Sequence, residues 1–191
     1  MNRREAIQRT SLLLGYAVSA PALMGILQGC KAAPELTYTP SFFTKEQAET
    51  VSELAELIIP KTNTPGAKEA GVPAFIDKIL KECYSPEDQQ RFLTGLTEFE
   101  ADMQKTYGDT FVYLKPEQQT EAYKKYHDPA TAEAKNNPSA PKPFALMVKE
   151  LTLLGFFTSE PGATQVLQYE AVPGRFNGCM PLADAGRTWA S

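Results

Sequence analysis

Histidine, clustered basic residues and long apolar runs are all scarce in this chain of 191 residues, and each scarcity removes a class of function. One histidine, His127, and three cysteines, none at metal-ligand spacing, are too few for a usual zinc site. No Gly-x-Gly-x-x-Gly stretch offers a cradle for a dinucleotide phosphate. A Cys-x-x-Cys-His motif for attaching haem is missing as well. Lysine and arginine, 19 in all against 23 acidic residues, nowhere gather into the patch that a polyanion needs, which excludes nucleic acid as a partner. The longest weakly apolar stretch, residues 11–27, is broken by Gly15, Ser19, Pro21 and Gly25. A membrane-spanning helix needs roughly 20 mostly apolar residues in a row.

What the first thirty residues do contain is an address. Asn2-Arg3-Arg4-Glu5 and Arg9 form a charged start ahead of that apolar stretch, the order of a secretory signal. The stretch ends in Leu27-Gln28-Gly29-Cys30, an apolar residue, a small residue and a thiol at lipobox spacing, which places cleavage before Cys30 and a diacylglycerol on its sulfur. At about 0.8 kcal/mol per buried methylene, such a lipid holds a protein on a membrane without a spanning helix. The Arg3-Arg4 pair before a weak apolar region resembles a twin-arginine signal, although Glu5 and Ala6 follow the pair and general secretion stays open. The expected organisation is a signal over residues 1–29, a lipidated tether over 30–43 and one domain over 44–191, on the periplasmic side of a bacterial membrane. Losing Arg3, Arg4, Arg9 and Glu5 takes the formal charge from −4 to −6. Once Cys30 is lipidated, Cys83 and Cys179 remain, and an oxidising compartment permits but does not require a bridge between them.

Within the domain the periodicity is that of an all-α fold of five or six helices, and no segment alternates like a strand. Prolines at 34 and 40 keep the tether irregular. Thr44 and Gln47 have capping-box spacing, and Ala48, Val51, Leu54, Ala55 and Ile58 form the apolar face of a helix stopped by Pro60. Val72-Pro73 opens a second helix with Phe75, Ile76, Ile79, Leu80 and Cys83 on one side. Ser85 caps a third, striped by Phe92, Leu96, Phe99 and Met103. A fourth begins at Lys115-Pro116, and four prolines over the following polar stretch predict an exposed loop at 129–143. His127, among Lys124, Lys125 and Asp128, reads as a solvated residue at a helix end. The helix from Phe144, with Met147, Val148, Leu151, Leu154 and Gly155, is the expected centre of the core.

Two segments stand apart from this packing. Residues 60–67 hold Pro60, Thr62, Pro65 and Gly66 in a loop stiffer than a connector requires. From Tyr169 onward, Val172, Pro173, Gly174, Arg175 and Phe176 mix helix breakers with side chains costly to leave in water. This tail is expected to lie against its own domain or a partner, Arg175 beside Phe176 being residue types common in interface hot spots. Two other readings compete. Glu98 and Asp102, one helical turn apart, could act as acid and base, although that spacing on a core helix normally marks a solvated face. A free surface lipoprotein could use Tyr107, Phe111, Tyr113, Tyr123 and Tyr126 as a carbohydrate-binding cleft or scaffold, although such aromatics more often pack helices.

Five segments in order resemble the gluconate 2-dehydrogenase subunit 3 family. They are Leu57-Ile58-Ile59-Pro60-Lys61-Thr62-Asn63-Thr64-Pro65-Gly66-Ala67, Gly71-Val72-Pro73-Ala74-Phe75-Ile76-Asp77, Phe92-Leu93-Thr94-Gly95-Leu96, Leu151-Thr152-Leu153-Leu154-Gly155-Phe156-Phe157-Thr158-Ser159-Glu160 and Tyr169-Glu170-Ala171-Val172-Pro173-Gly174. The resemblance implies a helper subunit without a cofactor of its own. Its partner is a large glucose-methanol-choline-type flavoprotein that carries FAD and oxidises a sugar or polyol, with electrons leaving to a cytochrome c subunit or another acceptor. It also implies that the small subunit assists maturation and lends its export signal to the large one. A lipobox is not required for that role, so Cys30 adds the expectation that this member anchors the complex.

Overall fold

The computed structural model describes residues 36–172, 174 and 177–190. The backbone divides into residues 1–34 and 35–191, and the described helices all belong to the second unit. Arg3, Arg4, Cys30, Pro173, Arg175 and Phe176 therefore lie outside the described residues.

Five helices carry the fold: α1 Lys45–Ile58, α2 Val72–Cys83, α3 Pro86–Tyr107, α4 Pro116–Asn136 and α5 Phe144–Phe157. A 3-10 turn, Phe111–Tyr113, links α3 to α4, a π-helical turn, Gly162–Val166, follows α5, and the four-residue α6, Leu182–Ala185, lies in the tail. No strand occurs among the described residues; Gln168 and Trp189 form one isolated parallel bridge. The all-α expectation holds.

Local chemistry sets the boundaries. The Gln47 N–H donates to Thr44 Oγ1 at 3.3 Å and the Thr44 N–H to Gln47 Oε1 at 3.0 Å, the reciprocal box that satisfies two free donors at the start of α1. Ser85 Oγ accepts the Asp88 N–H at 3.2 Å to open α3. Gly108, at φ 73°, ends α3 in the left-handed conformation that other residues avoid.

α5 packs against α1, α2, α3 and α4. It buries Met147, Val148, Leu151 and Phe156, against which stand the α3 stripe of Phe92, Leu96, Phe99 and Met103. Phe144 stacks edge-on against Phe92 with centroids 5.0 Å apart, and Phe99 lies 5.1 Å from Phe111. Two glycines allow this closeness. A Cβ at Gly95 would collide with that of Phe144, and one at Gly155 would come within 2.6 Å of the Phe75 ring. The expected central element is correct, except that Leu154 on its far side is 48% exposed.

Three further expectations change. The loop predicted at 129–143 is helical as far as Asn136, which leaves only 137–143 irregular. Pro129 removes the donor that would reach the Lys125 carbonyl. The helix continues because Ala130, Ala132 and Ala134 are strong helix formers, Ala130 is buried, and Thr131 Oγ1 donates back to the His127 carbonyl at 2.8 Å. The tether predicted over 30–43 is docked from Leu36: Leu36, Tyr38 and Phe42 pack on the core and Phe43 is buried in it. Cys83 and Cys179 are both free and exposed, one at the end of α2 and the other in the tail, so the bridge left open is not formed here.

Candidate partner-binding surface

The loop at 60–67 is built on Glu56 of α1. One carboxylate oxygen accepts the Lys61 N–H at 3.0 Å and the other the Lys68 N–H at 2.9 Å, so a single side chain ties both ends of the loop. Gly66 sits against this carboxylate, where a Cβ would collide with it. The Ala67 N–H closes the turn on the Ile59 carbonyl at 2.9 Å, and Lys68 pairs with Glu53 at 2.6 Å. The stiffness inferred from two prolines is therefore shared by a buttress of acidic residues on α1, which sequence reading missed. Pro60 and Thr62 are exposed, Pro65 is half-buried and Gly66 is buried. Only the first two are available to a partner.

Asp77 anchors the other end of the domain's N-terminal segment. Only 3% exposed, its carboxylate accepts the backbone N–H groups of Ser41, Phe42 and Phe43 at 2.8, 3.1 and 3.0 Å, and the Ser41 hydroxyl at 2.8 Å. Burial raises the acid's pKa, but the donors from Phe43, Ser41 and Phe42 outweigh it and hold the carboxyl below the usual range. The available signal was Asp77 next to Ile76 and three residues before Leu80, an acid on the apolar side of a helix.

From the last turn of α5 onward, exposed apolar side chains recur. Among the described residues, the exposed large hydrophobic side chains, Leu154, Phe157, Tyr169, Val172, Met180 and Trp189, all fall within residues 154–189. Val172 is 80% exposed and Trp189 46%. The backbone there is tied: Gln168 donates to the Thr188 carbonyl and accepts from Ala190, both at 2.8 Å, and Arg187 Nη1 donates to the Gln165 carbonyl at 2.8 Å. These bonds join residues 165–168 to 187–190, and the Tyr169 and Trp189 rings beside them are 58% and 46% exposed. Of the tail residues expected to bind a partner, Val172 and Gly174 are exposed.

The competing sites do not assemble. Asp102 accepts from Lys125 at 2.7 Å, and that bond holds its carboxyl below the usual range, which disqualifies it as a general acid near neutrality. Phe111 is fully buried, Tyr126 stacks on Phe99 at 5.2 Å, and Tyr123 donates to the Ala145 carbonyl at 2.9 Å, so these aromatics are packing and not a shared cleft. No group of three or more metal-ligating side chains occurs among the described residues. His127 is not at a helix end: it lies within α4, half-buried, because the helix runs past Pro129.

No curated protein and no solved structure matches the chain. The model of one family, described as gluconate 2-dehydrogenase subunit 3, matches residues 45–174, from the first residue of α1, through the Glu56-buttressed loop, to the start of the tail. With that match covering more than half of its length, the chain belongs to the gluconate 2-dehydrogenase subunit 3 family, the small subunits of dehydrogenase complexes.

Proposed function

We propose that this chain is a noncatalytic small subunit that accompanies a large, FAD-carrying, glucose-methanol-choline-type dehydrogenase for sugars or polyols. It assists maturation and export of that subunit through the Arg3-Arg4 signal and tethers it to the periplasmic side of the membrane through a lipidated Cys30. FAD belongs to the partner, and a cytochrome c subunit is the natural third component. The observation that carries the reading is the family match over residues 45–174, which takes in all five long helices. The exposed apolar residues at 154–189 supply a surface of the character expected of a subunit contact.

Deletion of the chain in its native cell tests the reading, with the large subunit followed by immunoblot and dye-linked activity in each cell fraction. The expected result is flavoprotein retained in the cytoplasm and loss of membrane-bound activity. Replacing Arg3 and Arg4 by lysine should reproduce the export defect, whereas Cys30→Ser should permit export and release the complex from the membrane. Normal export and activity in the deletion strain would sink the proposal.

A further inference from the structure

The half-buried residues around His127 form a cluster that the subunit role leaves unused. Two lysines among the described residues are half-buried, Lys68 and Lys149. Lys68 is neutralised by Glu53, but Lys149 has no carboxylate partner among the described residues. Its ammonium donates instead to Nε2 of His127 at 2.9 Å. The neighbouring hydroxyl does not compete for this role, because Thr131 Oγ1 gives its proton to the His127 carbonyl at 2.8 Å. Nε2 therefore accepts, and the imidazole carries its proton on Nδ1, which faces the Asp128 carboxylate at 3.0 Å. The ring is held from behind by Tyr123, with centroids 5.6 Å apart.

Tyr123, Lys124, His127, Asp128 and Lys149 line a cavity of about 360 Å³ between α1, α4 and α5, with Leu57 and Ile58 as an apolar wall. That size suits a small molecule. We infer that this cavity is a binding site for a small monocarboxylate, whose anionic head is held by the Lys149 ammonium and whose body lies against Leu57 and Ile58. The charges select the class: the ammonium groups of Lys124 and Lys149 against the Asp128 carboxylate leave one net positive charge for one negative one. A dianion such as phosphate would bring surplus charge toward Asp128. Of the three donors on the Lys149 ammonium, His127 takes one and leaves two for the ligand.

His127 is the chain's single histidine, so its ring protons give an unambiguous reporter in the proton NMR spectrum. Acetate and butyrate, titrated at constant pH and at ionic strength balanced with chloride, should each move the His127 Hε1 resonance along a saturating curve. Butyrate should bind at least threefold more tightly because of the apolar wall. Inorganic phosphate should produce no saturable shift below the concentrations at which acetate saturates. Lys149→Gln should abolish the response, and Lys124→Gln should weaken it, with the helical circular dichroism of both unchanged. A Lys149→Leu variant provides a second test should the first fail to fold. A response that merely follows ionic strength, one retained in the Lys149 variants, or phosphate binding as tightly as acetate would overturn the assignment. The result is independent of the proposed dehydrogenase partner, since it is read on the isolated chain.

Discussion

Asp77 concentrates more of the fold in one side chain than any other polar residue described here. Four donors from residues 41–43 converge on its carboxylate, so truncation leaves backbone N–H groups without an acceptor at a buried position. Asp77→Ala is expected to lower stability by about 2–4 kcal/mol in urea unfolding, the range for removing a charged partner from a buried set of hydrogen bonds. A loss below about 0.5 kcal/mol, ordinary for a surface change, would show that the docked segment contributes nothing. The same group makes a pH prediction. Its folded pKa is depressed, so its contribution is complete above the unfolded value of about 3.9 and disappears as pH falls through the folded value. Thermal midpoints of the native chain should therefore drop steeply below about pH 4, and Asp77→Asn should flatten that part of the curve. An unchanged acid slope in the variant would assign the effect to other carboxylates.

At the scale of elements, α4 is the instructive case. Pro129 sits in its interior and forfeits one backbone hydrogen bond, where alanine is preferred by about 3 kcal/mol in a host helix. Pro129→Ala is expected to raise stability by about 1–3 kcal/mol in thermal unfolding. Destabilisation would mean that the proline geometry itself is needed for the packing of Ala130. Caps and stripes made α1, α2, α3 and α5 legible in the sequence, because each signal there is local: Thr44 with Gln47, Pro73 in a first turn, Ser85 with Asp88. α4 ran past its predicted end because a proline's cost is visible in sequence, whereas the tertiary burial of Ala130 that offsets it is not. The docking of residues 36–43 was hidden for a similar reason. Its acceptor, Asp77, lies 34 to 36 residues away, beyond the reach of any periodicity. The tail was legible as a segment costly to leave in water, but its self-bridge at Gln168 and Trp189 was not, since two isolated residues make no pattern.

The whole molecule divides its surface unequally. Among the described residues, the exposed large apolar side chains lie in the last fifth of the chain. Phe157 is 39% and Trp189 46% exposed, so Phe157→Ser and Trp189→Ser should each lower stability by about 1–2 kcal/mol, less than truncation of a fully buried aromatic. Their effect should appear in assembly, as a loss of at least tenfold in co-purification of the large subunit from native membranes. Unimpaired co-purification by the double variant would move the contact away from this end, toward the exposed Pro60 and Thr62 of the buttressed loop. Asp77 has a mechanical consequence at this scale. Tension arriving from the N-terminal side meets the carboxylate before it meets α1, and the donors of Ser41, Phe42 and Phe43 share that load side by side. The first helix is thereby spared from peeling turn by turn, and the force passes directly into the middle of α2.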